Sequence, residues 1–231
     1  MKNTLQVATK GLAGAMAIAG GTNAYGAIVN VQPPSNLTTT AGTATGPTTT
    51  WDVNKDGTAD FTFSIRYPNG TGVAWQDNMQ GAAGNSVLGY GSAATYRYGS
   101  AFSLGTTIGP TPPTGTAYST ALQTIMGSVY NGVPYGGFAY NGAPGTGSVS
   151  AGNLSYAGFS FVSGGNTYYG WLRMSANAGN MTFVSAAYNN TPGATIAAGA
   201  TAVPEPGTLA GLAMGAAALG GVAWRRRRQA A

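Results

Sequence analysis

The sequence predicts an all-β body, an antiparallel β-sandwich of jelly-roll type with one short helix, set between an N-terminal signal peptide and a C-terminal transmembrane helix. Three observations carry this prediction. Short β-prone runs recur through the middle of the chain, separated by Gly-, Asn- and Pro-containing connectors. Aromatic side chains are plentiful (13 Tyr, 7 Phe, 4 Trp), enough to bury a core even though 38 Gly and 12 Pro bring the composition close to that of low-complexity chains. Charge is scarce and sits mainly at the two ends, where Lys2, Lys10 and Arg225 to Arg228 flank apolar stretches.

Residues 1–26 have the three-part layout of a secretory signal peptide: Lys2 and Lys10, an apolar stretch from Leu12 to Ala19, and small residues around Ala24-Tyr25-Gly26. Cleavage before Ala27 and cleavage after Ala24 both satisfy the small-residue rule. The body then covers residues 27–202. Its opening, residues 32–50, is rich in Thr, Pro and Gly and reads as a flexible or edge-strand entry.

The densest cluster of acids follows, from Trp51 to Phe61. Asp52, Asn54, Asp56 and Asp60 take positions 1, 3, 5 and 9 of a loop, with Gly57 at the sharp turn and Thr58 placed to offer a backbone carbonyl. This is oxygen-ligand spacing for Ca2+. Position 12 is Phe63 rather than a bidentate glutamate, so the loop is not an EF-hand; it resembles the short DxNxDGxxD loops of extracellular calcium modules. A metal-free corner built from Asx-turns accounts for the same residues.

Phe61, Phe63 and Ile65 alternate with Thr62, Ser64 and Arg66, which marks a half-buried strand. Further strand-like runs are Tyr96 to Leu104, Gly137 to Tyr140, Tyr156 to Val162, Tyr168 to Met174, Met181 to Tyr188 and Ala194 to Ala198. The clearest hairpin joins Phe159–Val162 to Thr167–Met174 through Ser163-Gly164-Gly165-Asn166. Alternation places Tyr169, Trp171 and Arg173 on one face of its second strand and Tyr168, Leu172 and Met174 on the other. Tyr169 and Trp171 form a sugar-stacking platform if that face meets solvent, and sandwich core if it does not. One stretch reads as helix: with Ser119 or Thr120 as N-cap, Leu122, Ile125, Met126 and Val129 follow i, i+3, i+4, i+7 spacing, and Gly132 closes the end.

At the C-terminus, Val203-Pro204-Glu205-Pro206 is stiff and incompatible with a helix. Residues 207–224 are uncharged and end at Arg225, Arg226, Arg227 and Arg228. As a helix they span about 27 Å, a little short of a hydrocarbon core of about 30 Å. The arginines fix the polarity, since positive flanks stay cytoplasmic, and leave the body outside the cytoplasm.

This tripartite tail, residues 203–231, resembles the PEP-CTERM sorting signal of Gram-negative bacteria. The resemblance implies recognition and processing by an integral-membrane exosortase, only transient membrane contact through the C-terminal helix, and delivery to the cell surface or extracellular matrix. It also implies organisms that make extracellular polysaccharide, and hence polysaccharide as a partner. Tyr168-Tyr169-Gly170-Trp171-Leu172-Arg173, then Ala186-Ala187-Tyr188 and Pro192 to Gly199, is similar to the last strands of many exosortase-substrate ectodomains.

Composition excludes much else. With no cysteine and no histidine, there is no disulfide framework, no thiolate nucleophile and no Ser-His-Asp arrangement, and a metal must be a hard cation held by oxygens. The net charge of +5 belongs to the ends: between them four basic residues face five acidic ones, which gives no basic face for nucleic acid. Outside the acidic loop the body offers only Asp77 before Glu205, too few carboxylates for glycoside hydrolysis, so no enzyme is expected. The expected role is an exported structural or interaction protein of a surface or matrix, with a carbohydrate-binding module as the alternative.

Overall fold

The computed structural model describes residues 27–39, 45–66, 73–91, 96–120, 123–130, 133–138, 152–177 and 179–202. The expected signal peptide, residues 1–26, and the C-terminal tail, residues 203–231, fall outside these residues. Among the described residues there are fifteen strands: β1 (Ile28–Val31), β2 (Leu37–Thr38), β3 (Thr45–Trp51), β4 (Phe61–Arg66), β5 (Val73–Gly81), β6 (Ser86–Tyr90), β7 (Tyr96–Gly99), β8 (Thr107–Ile108), β9 (Ala117–Ser119), β10 (Gln123–Tyr130), β11 (Val133–Tyr135), β12 (Ser155–Ser163), β13 (Asn166–Asn177), β14 (Asn180–Asn189) and β15 (Ile196–Ala197). The body is all-β, as its alternation predicts. No helix among the described residues is long and apolar enough to cross a membrane.

Thirteen strands share one sheet, in the order β1-β14-β13-β12-β6-β7-β10-β5-β4-β3, with β2, β9 and β11 attached to β14, β6 and β10. Its pairs are antiparallel except β7–β10, which is parallel. The sheet curls until its two ends face each other like the layers of a sandwich. Trp51 on β3 meets Phe159 on β12 edge-on at 5.2 Å between ring centroids, and Phe63 on β4 meets Phe183 on β14 at 4.7 Å. The cause is the period of two: Phe61, Phe63 and Ile65 are all buried, while Thr62 and Ser64 are not.

The middle of the sheet is covered twice. Leu172 and Met174 of β13 face the sandwich core. Tyr169 and Trp171, on its opposite face, join Leu88, Phe102, Ile108 and Ile196 in a second core, closed from outside by the β8–β15 ribbon. Strands β12 and β13 are therefore nearly continuously buried despite being antiparallel. Their hairpin is tighter than the sequence implies. Ser163 pairs with Asn166, leaving a two-residue turn in which Gly164 (φ 57°) and Gly165 (φ 76°) take the left-handed geometry that suits a type I′ turn.

The helix expected after Ser119 or Thr120 does not form; residues 123–130 are strand β10. Leu122 lies outside the described residues. β10 runs between β7 and β5 and is covered on both faces, with Thr124, Ile125, Met126 and Ser128 all buried. A register shift between Ile125 and Gly127 inserts Met126 as an extra residue. A two-sided strand with one inserted residue reproduces helical spacing by accident. Of the run expected from Gly137 to Tyr140, Gly137 and Phe138 form a turn after β11, and residues 139 and 140 lie outside the described residues. The Thr-rich opening contributes β2 and the edge strand β3, where Pro47 sits at a register shift, a position that tolerates its missing N–H.

The last described residues are docked. Trp171 donates its indole N–H to the Ala200 carbonyl at 3.1 Å, and the Ala202 N–H donates to Asn30 Oδ1 at 3.3 Å. Ahead of them the Ala198 N–H bonds the Thr106 carbonyl at 2.8 Å.

Candidate functional site

The acidic segment links β3 to β4 as an exposed turn folded around its own carboxylates. Asp52 accepts the N–H groups of Gly57 (2.8 Å) and Asp56 (3.2 Å), and Asn54 Oδ1 also accepts the Asp56 N–H at 3.1 Å. Asp56 accepts the Thr58 N–H at 2.9 Å and the Asn54 amide at 2.9 Å. Gly57, at φ 91°, supplies the sharp bend that its place in the loop requires. The hydrogen bonds from Asn54 and Thr58 hold the Asp56 carboxyl below its usual range.

Asp60 does not join this group. It is buried, and its two oxygens accept the Val53 N–H at 2.8 Å and the Asn85 amide at 3.0 Å. Burial raises its carboxyl above the ordinary value, against the lowering effect of those two bonds; the nearby Asp56 and Asp52 charges add a smaller upward push. The structure thus brings Asp52, Asn54, Asp56 and Thr58 together and directs Asp60 inward. Among the described residues no group of three or more acidic side chains is arranged to hold a metal ion.

Asn85 is the residue that sequence reasoning misses here. Its amide donates to both the backbone carbonyl and the carboxylate of Asp60, and its Oδ1 accepts the Val162 N–H at 2.9 Å. It thereby clamps the acidic turn, the β5–β6 connection and β12 together. Gly84-Asn85-Ser86 reads as an ordinary turn, so nothing local reveals the role.

Tyr169 and Trp171 offer no exposed platform, at 8% and 2% exposure. The Trp171 ring meets Tyr156 edge-on at 5.4 Å, and Tyr169 lies 5.6 Å from Tyr118. Trp51 and Trp75 are also buried. Tyr168 and Tyr188, by contrast, are partly exposed, at the turn end of the β12–β13 hairpin. The acidic turn reaches that end, where the Asn54 amide donates to Ser163 Oγ at 3.0 Å.

The sorting residues Val203, Pro204, Glu205, Pro206 and Arg225 to Arg228 lie outside the described residues. Residues 202–228 match the family model described as the PEP-CTERM protein-sorting motif. The match begins at Ala202, the residue whose N–H is held by Asn30. A motif of this kind marks an exported protein that an exosortase recognises and processes. No curated protein and no solved structure matches the chain.

Proposed function

We propose that the β-body is a non-catalytic structural or interaction module of the cell surface or extracellular polysaccharide matrix of a Gram-negative bacterium, delivered through transient membrane contact of residues 207–224. The observation that carries this reading is the junction at Ala202, where a closed β-body passes directly into a sorting motif. A module that is folded up to the edge of its own delivery signal suits a cargo released whole. The scarcity of carboxylates and the absence of histidine and cysteine support a role without catalysis. The test is fractionation of producing cells. The body should sediment with the extracellular polysaccharide and be freed by enzymatic removal of that polysaccharide; recovery solely in the cytoplasmic fraction contradicts the reading.

Calcium belongs to the same proposal. Asp52, Asn54 and Asp56 are the side chains able to supply oxygens, with the Thr58 carbonyl beside them; Asp60 takes part only by giving up its bonds to Val53 and Asn85. At an affinity of about 10⁻⁴ to 10⁻³ M, usual for extracellular modules, about 10 mM Ca2+ stabilises by roughly 1.4–2.7 kcal/mol. For a domain of this size that raises the melting temperature by about 3–10 °C. Asp56→Asn should abolish the rise. A transition that is the same with Ca2+ and with chelator removes calcium from the account.

A further inference from the structure

We propose that a cleft at the turn end of the β12–β13 hairpin binds one uncharged sugar ring of a glycan chain. This rests on the matrix reading above and gives it a site. The cleft has a volume of about 150 Å³ and is lined by Asn54, Phe161, Ser163, Tyr168, Tyr188 and Asn190.

Its floor follows from strand register. Phe161 and Tyr168 are direct cross-strand partners and stack at 5.3 Å and 25°. Tyr188, on the neighbouring β14, stands edge-on to both, at 5.1 Å from Phe161 and 6.2 Å from Tyr168. Phe161 is buried, whereas Tyr168 and Tyr188 are only partly covered by the core they pack against. The two tyrosines therefore form a nearly right-angled aromatic corner, backed by core on one side and open on the other. Rings fixed in this way lose little conformational freedom when a ligand arrives.

Neutral polar groups supply the rim. Asn54 is held by its bonds to Asp56 and Ser163. The Ser163 oxygen accepts that bond, so its hydroxyl proton remains to be donated. The backbone of Asn190 is pinned by its N–H to the Ala27 carbonyl at 3.1 Å, and the adjacent Asn189 bonds Thr191 and Thr195. The Asn190 side-chain amide has no hydrogen-bond partner among the described residues. Burial, and next the neighbouring Tyr168, push the Tyr188 hydroxyl above its usual pKa, so it stays a neutral donor at physiological pH.

Among the described residues none that lines the cleft carries a charge, which disfavours an ionic ligand. A pyranose presents what the cleft complements: an apolar C–H face for a ring, and hydroxyls that both donate and accept for amides and hydroxyls. The cleft is smaller than the roughly 300–1,000 Å³ sites that enclose drug-sized molecules. It holds one ring and leaves the rest of the polymer in solvent. Binding to one unit is weak, and retention on a matrix comes from many units and many copies.

The test uses the full chain in a detergent without a sugar headgroup. Saturation-transfer NMR measures binding of the neutral pentasaccharides of glucose and N-acetylglucosamine, with an oligogalacturonate as the charged comparison. Co-sedimentation with extracellular polysaccharide from the producing cells is measured in parallel. Asn190→Ala, on the surface, and Tyr168→Ala, checked for an intact melting transition, are the variants. The proposal expects the wild type to bind a neutral probe or the polysaccharide, and each variant to bind about tenfold more weakly. Undiminished binding by both variants overturns the cleft while leaving the matrix reading intact. Preference for the charged oligosaccharide also overturns it. A wild type that binds neither the oligosaccharides nor the polysaccharide overturns the cleft and the matrix reading together.

Discussion

Replacing Asp77 by Asn should raise the melting temperature strongly at about pH 9 and change it little at about pH 4. Asp77 sits in the middle of β5, between Ile65 of β4 and Gly127 of β10, with no solvent exposure. Neither of its oxygens has a hydrogen-bond partner among the described residues. Desolvation alone lifts its carboxyl from the ordinary 3.8 to about 8. The folded state therefore favours the neutral acid. Its stability contribution is full below the unfolded value near 3.8 and is lost as the pH rises through about 8.

At about 1.4 kcal/mol per pKa unit, the loss amounts to several kcal/mol, or on the order of 10 °C in melting temperature for a domain of this size. Asn keeps the shape and never ionises, so the variant's profile should lack this fall. The buried Asp60 loses stability in the same direction, and the exposed Asp56, whose carboxyl is lowered, shifts in the opposite sense. Both are common to the two proteins and cancel in the difference. Calorimetry from about pH 4 to 9 reads it out; parallel profiles for wild type and variant would contradict it.

Trp171→Ala should cost about 3–5 kcal/mol and free the end of the body. The indole fills the second core, packs edge-on against Tyr156 and holds the Ala200 carbonyl through its N–H. Removing it leaves a cavity between β13 and the β8–β15 ribbon, and releases the segment that precedes the sorting motif. Hydrogen exchange at residues 196–202 should rise well before that of β12 and β13. Trp171→Phe keeps most of the bulk and should show the loss of the hydrogen bond alone, about 1 kcal/mol. A Trp171→Ala protein that is destabilised by less than about 1 kcal/mol, with residues 196–202 still protected, contradicts the docked end.

What the sequence makes legible follows from how each strand is covered. β4 has one face on the core and one on the surface, so Phe61, Phe63 and Ile65 stand out cleanly against Thr62 and Ser64. The β12–β13 hairpin is legible because only glycine readily takes the backbone of residues 164 and 165. β10 is illegible: burial on both faces erases alternation, and the extra residue at Met126 imitates a helix. Tyr169 and Trp171 mislead as a platform for a related reason, since a second core over the outer face of an antiparallel sheet has no local signature.

In the acidic turn the spacing correctly gathers Asp52, Asn54 and Asp56. It does not show that Asp60 belongs to a buried clamp with Asn85, a partner 25 residues away. The aromatic corner of Tyr168 and Tyr188 arises from register across three strands, so it too appears only once the strands are paired. The sorting motif is the opposite case. It is a linear code carried by consecutive residues, and it can be read without any fold.

Mass spectrometry of the protein recovered from producing cells, locating both of its termini, tests the account most directly. It should find outside the cytoplasm a chain that starts at or within a few residues of Ala27, retains the docked Ala200 and Ala202, and has lost Arg225 to Arg228. An intact chain from Met1 to Ala231, dissolved in the cytosol, would contradict it.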